Sequence, residues 1–197
     1  MIMVNWHHMG NTEGSFTEEE KEILIGCLLG DAAMRKKTNA LLEINHSYKQ
    51  KKLVDLLYDK FKRFVGTNPK ERKGEGTRIA YRFTTRSLPC FTKIYDLFFI
   101  RRKKTVPKNL KLTGRTLAHW FMDDGSRTRK SVYLNTQKFS SKEQKILQEK
   151  LEKDLGIKSS LNRDKIYYRI RVKQESLKRF KNLIRPYILP SFSYKLP

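Results

Sequence analysis

Two apolar runs, each ending in an aspartate, constrain this chain more than any other feature. The clearer one is Thr116-Leu117-Ala118-His119-Trp120-Phe121-Met122-Asp123-Asp124-Gly125, and Leu24-Ile25-Gly26-Cys27-Leu28-Leu29-Gly30-Asp31-Ala32 repeats its layout. Apolar residues recur at three- and four-residue spacing in both, which predicts two short helices. Thr17 stands three before Glu20 as a capping box, and Thr113 can cap the second helix. A helix C-terminus carries partial negative charge, so an acid there is disfavoured. This chain is rich in lysine and arginine and still places an aspartate there twice. A cation held between Asp31 and Asp124 explains that choice, because it makes a ligand pair of two locally unfavourable charges. Small residues at four-residue spacing, Gly26 with Gly30 and Gly114 with Ala118, predict that the two helices pack closely and bring those carboxylates together. Either motif alone would be met by a core helix whose end reaches solvent; the pair argues for more.

The rest of the chain repeats as well. Strands are predicted over 33–35 and 41–45, joined by the basic turn 36–39, with Leu42 and Ile44 alternating with Glu43 and Asn45. An amphipathic helix follows over 48–65, with Leu53, Leu56, Leu57, Phe61 and Phe64 on its apolar side and Gly66 as its stop. A basic hairpin over 68–74 leads into a strand over 78–84, and Ser87 caps a helix carrying Phe91, Ile94, Leu97 and Phe98. The second half runs the same way. It has a strand over 132–137, a helix over 142–155 with the capping box Ser140 to Glu143 and a stop at Gly156, a hairpin over 158–172, and a last helix from Ser176 to near Pro186. Asp31 and Asp124 lie 93 positions apart, Asn45 and Asn135 90, Tyr81 and Tyr168 87, Lys104 and Lys195 91. Offsets this steady describe one duplicated unit. The expected architecture is α+β: a pseudo-two-fold pair of αββαββα halves, 16–107 and 108–197. Their antiparallel sheets would form a saddle, with the two motif helices at the interface.

A formal net charge of +23 on 197 residues implies a polyanionic partner, since such an excess repels itself when alone. Nucleic acid is the default. A membrane is not expected as a partner: no uncharged run approaches the roughly 20 residues of a span, and no basic stretch also carries a long apolar face. Residues 1–14, with Trp6, His7, His8 and Glu13, lack a signal peptide's apolar core. An intracellular protein is therefore expected, of an organelle such as a mitochondrion or chloroplast or of a prokaryotic cytoplasm. Cys27 and Cys90 fall in apolar stretches and suit a core better than a disulfide. The histidines His7, His8, His46 and His119 show no zinc-type spacing with them. There is no phosphate-cradling glycine loop and no serine or cysteine nucleophile motif.

The predicted strands supply a binding surface. Their wet face carries Arg78, Arg82, Lys165, Tyr167, Arg169 and Arg171 beside Asn45, Tyr133, Asn135 and Gln137. A two-stranded ribbon fits the major groove, where arginine bonds guanine bidentately and Asn or Gln bonds adenine. Arg35, Lys37, Lys70, Arg72, Lys73, Arg127, Arg129, Lys158 and Arg163, in or beside the turns, would meet phosphates or edge positions. Hydrolysis of a phosphodiester needs a metal, an activated water and stabilisation of charge on the departing oxygen. Asp31 and Asp124 offer hard oxygen ligands with room for water and phosphate, which suits Mg²⁺, with Mn²⁺ expected to substitute. Lys104 and Lys195, at matching positions, could stabilise the extra charge or orient the water. Asp123 has no acidic mate at Gly30, so its side chain is read as support.

These motifs resemble those of the LAGLIDADG homing endonucleases, and specifically the single-chain two-motif branch. Leu117 to Gly125 keeps the leading Leu-Ala and final Asp-Gly, and Leu24 to Ala32 keeps the third-place glycine and the eighth-place aspartate. Lys103-Lys104-Thr105-Val106-Pro107, Leu134-Asn135-Thr136-Gln137 and Tyr194-Lys195-Leu196-Pro197 are similar to the corresponding segments of that branch. The resemblance implies a monomer straddling a long asymmetric double-stranded DNA site and cutting both strands across the minor groove to leave 3′ overhangs. It implies metals on Asp31 and Asp124, assisted by the backbone carbonyls of Gly30 and Asp123, with Lys104 and Lys195 as the basic catalytic residues. Ala32 replaces the last motif glycine in the first half, and His119 the third-place glycine in the second.

Two other readings use the same scaffold. An RNA maturase would bind intron RNA, and a DNA-binding regulator would bind without cutting. Neither needs two acids at the interface, so their retention favours the nuclease.

Overall fold

The computed structural model describes residues 14–74, 76–129 and 131–196. The signal-peptide reading of 1–14, with His7 and His8, rests on residues outside that range except for Gly14, and Pro197 lies outside it too. The first motif forms α1 (Glu18–Leu29), started by a capping box in which Thr17 Oγ1 accepts from the Glu20 N–H and Glu20 returns a bond to the Thr17 N–H. Then come β1 (Ala33–Lys36), β2 (Ala40–Ser47), α2 (Lys51–Phe61), β3 (Lys70–Lys73), β4 (Ile79–Thr84) and α3 (Pro89–Phe98). A short hairpin of β5 (Phe99–Ile100) and β6 (Lys103–Lys104) links the halves. The second motif is α4 (Gly114–Asp124), capped by Thr113. It is followed by β7 (Gly125–Arg127), β8 (Val132–Leu134), α5 (Ser141–Leu155), β9 (Ser159–Asp164), β10 (Tyr167–Val172) and α6 (Leu177–Ile184). The sheets are built alike, in the orders β1-β2-β4-β3 and β7-β8-β10-β9, with every neighbouring pair antiparallel. The duplicated α+β plan is therefore present strand for strand.

One buried apolar cluster runs through both halves, and α1 packs on α4 at its centre. Gly26 permits the approach, because a Cβ there would lie 2.6 Å from the Thr116 carbonyl oxygen. Gly114 was expected to serve the same contact and does not. A Cβ on it would meet the Leu183 carbonyl at 2.7 Å, so this glycine seats α4 against α6.

Other local expectations shift too. The helix predicted over 48–65 is α2 flanked by 3₁₀ turns (Tyr48–Gln50 and Lys62–Phe64), with Val54 rather than Leu56 on its fully buried face. It ends where Val65 turns extended and bridges to Thr85, ahead of Gly66. Ser87 does not cap α3; Leu88 is the cap residue and Pro89, with its preset φ, starts the helix. The Ser87 hydroxyl instead donates to the Asn39 carbonyl. Lys165 belongs to the β9–β10 turn, at a left-handed φ of 57°, and not to the strand face.

Candidate catalytic centre and nucleic-acid interface

α1 and α4 deliver Asp31 and Asp124 to one point from opposite halves. The Lys138 ammonium lies 3.3 Å from Asp31 Oδ1 and 3.3 Å from Asp124 Oδ2, and it also donates to the Gly30 carbonyl. A cation thus bonds both carboxylates and a main-chain oxygen at once. Sequence reasoning missed this lysine. It is one of 43 Lys and Arg, it sits in the turn between β8 and α5, and the 90-residue offset that aligns Asn45 with Asn135 puts Tyr48 opposite it. The repeat gave it no partner to be found by.

The two acids differ in setting. The Asp31 side chain is 59% exposed, that of Asp124 18%. Burial raises the Asp124 carboxyl above the usual range, against the pull of Lys138. Asn135, expected on the base-reading stripe, stands here instead: its N–H donates to the Asp124 carbonyl at 3.1 Å, and its side chain helps to hold that residue's carboxyl down.

Asp123 supports the centre from beneath. Its Oδ2 accepts the Asp31 N–H at 2.8 Å, across the interface between the halves. Its Oδ1 lies 3.4 Å from Nε2 of His46 on β2, and both atoms are buried without a hydrogen bond. Burial, and then the neighbouring Asp31, push the Asp123 carboxyl up to about 7, while burial pushes the His46 imidazole down. The contact is therefore between groups that burial drives towards their neutral forms, and not a full ion pair.

Lys104 and Lys195 approach the motif ends as their matching positions predicted. Lys104 Nζ donates to the carbonyls of Gly30 (3.1 Å) and Ala32 (2.5 Å), and Lys195 Nζ donates to that of Met122 (2.8 Å). Their local structures differ, since Lys104 lies on β6 and Lys195 ends a 3₁₀ helix (Pro190–Lys195). Burial lowers both ammonium groups, Lys104 to about 8 with Lys138 adding to the effect. Two carboxylates and the Gly30 carbonyl around a position already taken by a cation fit a hard divalent ion. Among the described residues, no group of three or more His, Cys, Asp and Glu could close a cage. The open coordination would fall to water and phosphate oxygens.

The sheets carry the expected cations in rows. Cross-strand register aligns Asn45 with Arg82 and Arg82 with Lys70, and aligns Tyr133 with Arg171. Several of these side chains are held in place. Arg35 and Arg82 flank Glu43 at 3.1 and 3.5 Å, the Arg169 guanidinium stacks 4.1 Å from the Tyr133 ring, and Arg171 Nε donates to Ser131 Oγ at 3.0 Å. Gln137 is bound to Asp164 at 2.8 Å, Arg127 donates to the Leu196 carbonyl at 2.7 Å, and Arg163 to that of Lys165 at 3.0 Å. Lys37, Arg72, Lys73, Arg78, Arg129 and Tyr167 are exposed. Lys158 stands apart, paired with Glu175 at 3.2 Å beside the start of α6.

A profile of the LAGLIDADG DNA endonuclease family matches residues 21–180. The chain is 32% identical over 192 residues to the "Probable intron-encoded endonuclease 1" of Wickerhamomyces canadensis, spanning 90% of this chain and 83% of that protein. It is 29% identical over 220 residues to the cytochrome b mRNA maturase bI2 of Saccharomyces cerevisiae, 98% of this chain and 51% of that one. In structure it is similar to the homing endonuclease I-WcaI bound to its DNA recognition sequence, with a TM-score of 0.86 and 28% identity over 98% of this chain and 96% of the other.

Proposed function

The chain belongs to the LAGLIDADG DNA endonuclease family, and we propose that it is a site-specific homing endonuclease. It would hydrolyse one phosphodiester on each strand of a long, asymmetric target and leave 3′ overhangs. The reading is carried by one observation, the convergence of Asp31 and Asp124 on a single cation position from opposite halves. A maturase or a non-cutting regulator would gain nothing from that pair, and two close carboxylates repel each other.

Asp31, Asp124 and the carbonyls of Gly30 and Asp123 would hold the divalent ion, with Mg²⁺ the natural choice and Mn²⁺ a substitute. Such an ion supplies Lewis acidity to a phosphodiester and makes water a better nucleophile. Lys104 and Lys195 point their ammonium groups at the ends of the two motifs, one for each strand, where they can offset charge on the departing oxygen. Arg82, Lys70 and Asn45 on one sheet, with Arg169, Arg171 and Tyr133 on the other, would face the grooves, and the exposed turn cations would meet phosphates. The two units, 16–107 and 108–197, would each take half of the target in a monomer.

Supercoiled plasmid carrying the intronless allele of the host gene, incubated with the protein and Mg²⁺, tests this reading. Linearisation at one site, lost in both Asp31→Asn and Asp124→Asn, supports it. Binding of intron RNA with no cleavage of any DNA would favour the maturase.

A further inference from the structure

The cation at the centre of this structure is a side chain. Lys138 Nζ touches Asp31 Oδ1, Asp124 Oδ2 and the Gly30 carbonyl, three of the oxygens assigned above to a divalent ion. Lys104 shares that Gly30 carbonyl and also donates to the Ala32 one, and Lys195 donates to the Met122 one, whereas Lys138 is the ammonium paired with both carboxylates. The backbone beneath Lys138 is fixed: Phe139 is buried, its N–H donates to the Thr136 carbonyl at 2.9 Å, and Gln144 donates to that same oxygen at 2.8 Å. The Lys138 side chain is 31% exposed, so its flexible stem has a way out to solvent.

We propose that Lys138 is a displaceable counter-cation: it holds Asp31 and Asp124 together before a divalent ion binds, and the ion must expel it from the same oxygens. This rests on the reading of the two aspartates as metal ligands. One positive charge offsets the repulsion between two negative ones and keeps the ligands gathered, and the same charge opposes an arriving ion at short range. Metal affinity without DNA is thereby held down. The expelled ammonium stays within a side chain's length of the centre, where an incoming phosphodiester offers it anionic oxygens in exchange. The 90-residue offset puts Tyr48 at this place in the first half, so the device is one-sided.

The test uses the whole chain without DNA. Calorimetric titration with Mg²⁺ and thermal unfolding in EDTA are run on the native protein, Lys138→Met and Lys138→Arg. Lys138→Met is expected to bind Mg²⁺ roughly five- to tenfold more tightly, to melt lower in EDTA, and so to gain more Tm on adding the ion. Lys138→Arg keeps the charge and is expected to stay close to the native protein on each measure. Should Lys138→Met not fold, Lys138→Gln is read in the same way. Unchanged or weaker Mg²⁺ binding in the neutral variants overturns the proposal. If neither the native protein nor the neutral variants bind a divalent ion, or if Asp31→Asn binds it as well as the native protein does, the reading of the aspartates as ligands falls first, and this proposal with it.

Discussion

The main-chain N–H of Asp31 donates to Asp123 Oδ2 at 2.8 Å, so the acid of the first motif is positioned by a carboxyl of the second. The same oxygen explains Gly30. A Cβ at that position would sit 2.2 Å from Asp123 Oδ2, which no side chain can do. One bond therefore ties the interface between the halves to the alignment of the centre.

Gly30→Ala should accordingly destabilise the protein by about 1–3 kcal/mol, the usual range for overpacking. Asp123→Ala should lose a similar amount by stranding the Asp31 N–H. Asp123→Asn keeps an acceptor and should remain near native stability. Chemical denaturation of the three variants checks the order.

His119 sets an acid limit. Burial, and then Arg115, hold its imidazole down to about 4, against about 6.5 in an unfolded chain. The unfolded state takes up this proton first, so stability is intact above about pH 6.5 and is lost as pH falls from there towards 4, by at most about 3 kcal/mol. His119→Gln should flatten that part of the stability curve relative to the native protein, as urea titrations at a series of pH values would show.

The β5–β6 hairpin turns on Arg101 and Arg102, both left-handed at φ 50° and 66°, where Asn-Gly would be at ease. Placing arginines there costs about 1–2 kcal/mol each, and it projects two exposed charges beside Lys104. The double substitution Arg101→Asn with Arg102→Gly should raise Tm and weaken DNA binding. It should also make the slope of log affinity against log salt shallower by up to about 2. Fluorescence anisotropy on duplex DNA at several salt concentrations measures both binding effects.

Much of this was legible in the sequence because it depends on local rules. The capping boxes at Thr17 and Ser140, the αL stop at Gly156 and the alternation in β2 are all present as predicted. Even the paired aspartates followed from a charge in an unfavourable place. Contacts between distant residues were not legible. Small-residue spacing showed that Gly114 receives a neighbour but not that the neighbour is α6. Lys165 alternated like a strand residue, and only the closing of the hairpin placed it in the turn. His46 beneath Asp123, and Lys138 between the carboxylates, arise from the docking of the halves, to which no periodicity points.

On the proposed function the two aspartates share a divalent ion against the scissile backbone. Anomalous scattering from crystals of the protein with its target DNA and Mn²⁺ tests it most directly. A Mn²⁺ peak is expected within coordination distance of both Asp31 and Asp124, with Lys138 moved off their oxygens. Mn²⁺ bound elsewhere, with Lys138 still bridging the two carboxylates over uncut DNA, would contradict it.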